Sequence, residues 1–318
     1  MKINKLMFLG GAAALGLCCL SATLVLADKP DTEPDGKRIG TTENHPGGDA
    51  NPNAGGGGST ISNGISYHGG PVLVAGSNIY YIWYGNWGTN TAKTILPSVA
   101  NGIGGTPYFN TNTTYYNAAA IHVKNAAHLV AQYTWTTTAY GTALTDSLVQ
   151  TIVSATINGG HLAYDPNGIY FVLTSPEVTE GAGTAVAFCK TYCGWHTHFS
   201  LNNLATADVK YSFVGNASTQ CPSTCMAQVT SSPNNNPGAD GMANVLVHEL
   251  DEATNDPDLN AWYDCNGNES ADKCAWQFGT ELTASNKSKY NLTLLNGLQV
   301  LIQENWINAS GGKCALSY

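Results

Sequence analysis

"GADGMANVLVHELDEATNDP", residues 238–257, carries the period of a helix. At about 100° per residue, Met242, Ala243, Leu246, Val247, Leu250 and Ala253 fall on one apolar stripe. His248, Glu252 and Asp256 recur at i, i+4 and i+8 on roughly the opposite side, and Glu249 lies between the two faces. Pro257 has no N–H to continue the ladder, so the helix ends before it. A stripe of this width needs a partner surface, and the rest of the chain supplies strands.

The run "NIYYIWYGNW" (78–87) is dense in aromatic and branched residues and predicts a buried strand. "GIYFVLTS" (168–175), "TAVAFCKTYCGWHTHFS" (184–200) and "VKYSFVGNA" (209–217) predict further strands, and "AIHVKNAAHLVAQYTW" (120–135) an extended segment. "TAKTILPSVANGI" (91–103) reads as a helix in which Pro97 argues for a break or a late start. "LTDSLVQTIVSATINGG" (144–160) is a helix capped by Thr145 or Asp146 and stopped at Gly159. "KYNLTLLNGLQVLIQENWIN" (289–308) reads as partly extended and partly helical. This alternation predicts an α/β or α+β fold: a single domain, residues 65–318, with a mixed sheet flanked by helices. About 250 residues suffice for one core.

The first residues, "MKINKLMFLGGAAALGLCCLSATLVLADKP", place two lysines before an apolar run that closes with small residues. This is the plan of a signal peptide, residues 1–27, and predicts a secreted protein with no membrane span after cleavage. Residues 28–64 hold almost no large apolar side chains and read as a disordered Gly/Pro/Asn-rich linker. The chain is acidic, with a net charge of −9, and its Lys and Arg never cluster, which excludes a nucleic-acid partner.

Seven cysteines follow the leader, and export favours disulfides. "CKTYC" (189–193) and "CPSTC" (221–225) look like local staples, and a Cys274–Cys314 bridge could tie the C-terminus down, which would leave Cys265 over. Spacing alone does not fix connectivity.

The helix spelling His-Glu-x-x-Glu places two ligand types one turn apart, with a glutamate beside the first to reach a metal-bound water. One helix face offers only two ligands, so others must come from elsewhere. "NGNESADKC" (266–274) supplies Glu269 and Asp272. This part of the chain resembles thermolysin-like enzymes, where a later glutamate completes the zinc site and an aspartate orients a histidine. Glu252 stands where those enzymes have a second histidine. The expected set is His248, Glu252, Glu269 and Asp272 around Zn²⁺, with Asp272 orienting a ligand and Glu249 as general base of a metallopeptidase-like hydrolase. The substrate would be an extracellular peptide or a cell-wall component. The plain alternative is an exposed amphipathic helix with a polar outer face. His196 and His198 share one side of a strand and offer a further ligand or acid. Tyr80, Tyr81, Trp83, Tyr84 and Trp87 are core residues or, less simply, a platform for sugars.

"YHGGPVL" (67–73), "YYIWYGNW" (80–87), "GIYFVLTSPEV" (168–178), "FCKTYCGWH" (188–196), "VGNASTQCPSTC" (214–225) and "GADGMANVLVHEL" (238–250) together resemble the exordium-like, or phosphate-induced, secreted proteins. That resemblance implies an extracellular protein of the cell wall or of growth signalling, with no established reaction. The residues 248–274 are similar to a microbial branch that carries the metal-ligand string.

Overall fold

The computed structural model describes Lys37–Gly40 and residues 64–318, except 205 and 310. The expected signal peptide and most of the expected linker lie outside the described residues. All described residues belong to one compact unit, Asp31–Tyr318.

The fold is a mixed α/β domain on a six-stranded sheet. Its strands in chain order are β1 (Lys37–Gly40), β2 (Ser77–Tyr84), β3 (Ala127–Thr134), β4 (Gly168–Thr174), β5 (Tyr192–Ser200) and β6 (Asp208–Gly215). Across the sheet they run β1-β5-β6-β4-β2-β3. The four strands β3, β2, β4 and β6 are parallel, whereas β5 and β1 are added antiparallel at the other edge. Within the segment read as a linker, Lys37–Gly40 thus pairs with β5.

Strand β2 shows why the sheet forms where it does. Tyr81 donates its hydroxyl to Leu96 O, and Trp83 lies under the Lys93 ammonium, both on helix α1 (Ala92–Ile103). Tyr80 stacks on Tyr170, and Tyr84 donates to Gly141 O. With both faces covered, a parallel strand is apolar throughout instead of alternating. Tyr80, Tyr81, Trp83, Tyr84 and Trp87 are all buried, so this strand is core and presents no platform for sugars.

Helix α1 runs through Pro97 without the expected break, forgoing one i→i−4 hydrogen bond. Helix α2 (Asp146–Asn158) is capped by Thr145, whose hydroxyl accepts Leu148 N–H, and packs against β4 and β6. Helix α3 (Pro237–Asn255) opens with an Asn236 cap and Pro237 in its first turn, and stops before Pro257 as expected. It packs on β5 and β6 and also against α1.

The strand expected over 184–200 begins only at Tyr192, after a turn in which Cys189 has φ +71°. Residues 289–308 contain no helix. They form short hairpins, one closing at Asn296-Gly297 with Gly297 at φ +86°, the conformation glycine adopts freely.

The expected local staples are also corrected. Cys189 pairs with Cys221 and Cys193 with Cys225, in two parallel bridges of equal sequence separation, 32. The reason is the helical turn Pro222–Cys225, which sets Cys221 and Cys225 at i and i+4, side by side and facing the start of β5. Cys274–Cys314 forms, and Cys265 is outside the three disulfides found among the described residues. Closing the 40-residue loop should stabilise the fold by about 4 kcal/mol. Cys274→Ser/Cys314→Ser is therefore expected to lose about 3–4 kcal/mol in urea unfolding, and Cys265→Ser about 0.5 kcal/mol or less. Non-reducing peptide maps should show the crossed 189–221 and 193–225 pairs.

Candidate metal centre

Helix α3 is not an exposed amphipathic helix. Every residue from Gly238 to Asn255 is buried, including the polar face. The apolar stripe joins the main core. The polar stripe faces a second set of polar side chains brought by β5 and by the segment after the helix.

Its approach to the sheet depends on Gly194 of β5. A Cβ there would stand 2.5 Å from Val245 Cγ1 and 3.0 Å from Glu249 Oε1, so only glycine lets α3 lie this close. Two residues on, His196 points to the same side and is fully buried. Residues 264–274 return across the helix. There Asp264 accepts N–H bonds from the backbones of Asn266 and Asn268, from the Asn268 side chain and from Lys273 Nζ, and so fixes the turn that delivers Glu269 and Asp272.

These elements bring six ligand-type side chains together. His248 Nε2 lies 3.2 Å from Glu252 Oε1 and 3.6 Å from Asp272 Oδ1. His196 Nε2 lies 3.7 Å from Glu252 Oε2 and 3.3 Å from Glu269 Oε1. The ligand atoms of His248, Glu252 and Asp272 form one group within 4.8 Å, and those of His196, Glu249 and Glu252 form another. Four of the five residues expected at the site are thus joined in those groups. Glu269, expected beside His248, stands against His196 instead. Asp256, third on the polar stripe, accepts Ala261 N–H and secures the chain after the helix.

The contacts around His248 have the character of convergence more than of hydrogen bonding. Its Nε2 is buried facing two carboxylates at once, and Glu252 Oε2 is buried without a hydrogen bond. At zinc–ligand distances of 2.0–2.2 Å, neighbouring tetrahedral ligands stand about 3.4 Å apart, which is the spacing found here. Glu252 Oε1 accepts Asp272 N–H at 2.9 Å, and Asp272 Oδ2 accepts Glu269 N–H at 3.1 Å, so both carboxylates are held in place by backbone.

Electrostatics give the cluster its cost. Burial pushes the Glu252 carboxyl up, and the Asp272 charge pushes it further, while His248 draws it down. Burial would lower His248, but Glu252 and Asp272 outweigh it and hold the imidazole well above its ordinary range. Without a metal ion, protons must neutralise this cluster. Asp251, on the neighbouring side of α3, is pushed up to about 7 by burial and accepts hydrogen bonds from Tyr108 and Asn112.

Gln303 is the member that sequence reasoning missed. Its amide meets His248 Nδ1 and also donates to Ala271 O, while its backbone N–H is held by Asn244 Oδ1 at 2.7 Å. It orients the imidazole from the side opposite Glu252, the role expected of Asp272, which the structure instead places on the Nε2 side. A half-turn of the amide presents its carbonyl to Nδ1–H and frees the Nε2 lone pair for an ion. No motif announces a glutamine 55 residues away in sequence. A further group, His198, Asp208 and Asp258, lies nearer the surface and already holds a cation, since Lys210 Nζ is 2.7 Å from Asp208.

The chain matches the family described as "Phosphate-induced protein 1 conserved region" over residues 65–315. The chain belongs to the phosphate-induced protein 1 family. Protein EXORDIUM-like 5 of Arabidopsis thaliana is 29% identical over 221 residues, covering 63% of this chain and 59% of that protein. Protein EXORDIUM-like 3 is 26% identical, with 63% and 64% covered, and Protein EXORDIUM is 28% identical over 251 residues, with 68% and 74% covered. The matched region therefore spans about three fifths of the first two relatives. No solved structure matches the chain. The phosphate-induced protein 1 region includes every residue of the buried cluster.

If Gln303 orients a metal-bearing imidazole, Gln303→Ala should weaken divalent-ion affinity about 10–100-fold while the protein stays folded. Competition with a chromophoric chelator measures this, and an unchanged affinity would leave Gln303 a packing residue.

Proposed function

We propose that this chain is a secreted, non-peptidase protein that holds a divalent metal ion, zinc in the first instance, between helix α3 and the sheet. The ion fixes the fold of an extracellular binding or signalling domain. One observation carries this reading: His248 Nε2 is fully buried between carboxylate oxygens of Glu252 and Asp272, and Glu252 Oε2 is buried there without a hydrogen bond. An ion would replace the protons that the cluster otherwise needs. His248, Glu252, Glu269 and Asp272 all lie at 0% relative exposure except Asp272, whose side chain is 17% exposed, which is too enclosed for a peptide substrate. Secretion is supported by the leader-like first residues, by three disulfides and by the extracellular reading of the family. Among the described residues no helix is long and apolar enough to cross a membrane. Assignment to a branch with the metal-ligand string rests on residues 248–274 themselves.

A second reading is favoured by Glu249, which groups with His196 and Glu252. It makes the protein a zinc hydrolase in which Glu249 accepts a proton from water, with solvent reaching the centre past Asp272.

Protein exported from its own leader should begin at Asp28 by N-terminal sequencing. Purified without chelator, it should carry at least one equivalent of zinc, and His248→Ala should carry less. Stripping the metal should lower Tm by at least about 5 °C. Wild-type protein that stays metal-free after zinc loading contradicts the proposal. Neither wild type nor Glu249→Gln is expected to cleave a mixture of unfolded peptides. A wild-type activity lost by about 10²–10⁴-fold in Glu249→Gln would establish the second reading.

A further inference from the structure

The two oxygens of Glu252 face different partners. Oε1 lies on the side of His248 and Asp272, and Oε2 on the side of His196. Each side supplies its own ligand set. His248 Nε2, Glu252 Oε1 and Asp272 Oδ1 make the first. His196 Nε2, Glu252 Oε2 and a Glu249 carboxylate oxygen make the second, with both Glu269 oxygens 3.3 Å from His196 Nε2. The two imidazoles do not fall in one group of ligand atoms; they fall in two groups that share only Glu252. A carboxylate that bridges two ions does so with one oxygen on each, and ions in such pairs stand roughly 3.5–4 Å apart.

We propose that the cluster is a two-ion centre: Glu252 bridges two divalent transition-metal ions, one held by His248 and Asp272, the other by His196, Glu249 and Glu269. The proposal rests on the metal-centre reading above and adds the second ion. Charge argues for it independently. Four carboxylates, Glu249, Glu252, Glu269 and Asp272, meet two histidines in a volume that is fully buried except at Asp272, whose side chain is 17% exposed. One divalent ion leaves two negative charges for protons to cover. Two divalent ions balance all four carboxylates with both histidines neutral, the form in which imidazole binds metal. The second observation is Glu252 Oε2 itself, buried, aimed at His196 and without a hydrogen bond. Two histidines with four carboxylates suit zinc, manganese or ferrous iron and are too rich in oxygen for a thiolate-preferring ion.

The test is metal stoichiometry on the full mature chain, loaded with Zn²⁺ alone and passed through a desalting column. Two equivalents are expected in wild type, one in His196→Ala, and none to one in Glu252→Gln. One equivalent in wild type overturns the two-ion centre and leaves the single-ion reading standing. Zero equivalents overturn both. Two equivalents retained in His196→Ala would also overturn the assignment. Should His196→Ala fail to fold, Mn²⁺-loaded wild type decides. Bridged ions should give an exchange-coupled electron paramagnetic resonance spectrum. A spectrum of isolated Mn²⁺ alone overturns the proposal.

Discussion

Three buried carboxylates, Glu249, Glu252 and Glu269, and the partly buried Asp272 beside them govern this structure. A buried carboxylate without a counter-charge is too costly to keep ionised, so Glu249, Glu252, Glu269 and Asp272 require cations or protons. The neighbouring architecture accepts that requirement instead of relieving it with solvent. Gly194 lets α3 settle on β5, the turn built on Asp264 carries Glu269 and Asp272 across the helix, and Gln303 closes the last side. The polar cluster and the apolar core are two faces of one central helix.

The disulfides act on the same region. Cys189–Cys221 and Cys193–Cys225 clamp the start of β5, which carries Gly194 and His196, to the turn that precedes α3. Cys274–Cys314 anchors the segment that delivers Asp272. Positioning of the histidine and carboxylate donors therefore rests on covalent links as well as on packing, which suits a site whose donors come from three distant parts of the chain.

Much of this was legible in the sequence. The apolar runs of β2 and β4 announced strands, that of β2 a buried one, and Thr145 and Pro257 marked helix boundaries. The spacing of His248, Glu249 and Glu252 placed the candidate ligands, and Glu269 and Asp272 arrived where a third segment was needed. Three things were hidden, each for a physical reason. The burial of the polar face depends on what packs over α3, which periodicity on α3 cannot reveal. Cysteine pairing depends on the helical turn at Pro222–Cys225, so equal local spacings pointed to the wrong partners. Gln303 and the alignment of His196 with Glu252 are products of tertiary approach. His196 was visible as a strand histidine that could add a ligand, but not its approach to Glu252.

Membership of the phosphate-induced protein 1 family gives the chain its relatives, and the cluster gives it a chemistry to test. The central claim is that histidine and carboxylate oxygen, with no sulfur, surround a bound ion. Zinc K-edge X-ray absorption on the natively exported protein addresses it most directly. The account predicts a first shell of nitrogen and oxygen at about 2.0–2.1 Å with the outer-shell scattering of imidazole. A sulfur shell at about 2.3 Å, placing the ion on cysteine, or an absence of bound zinc after loading, would contradict it.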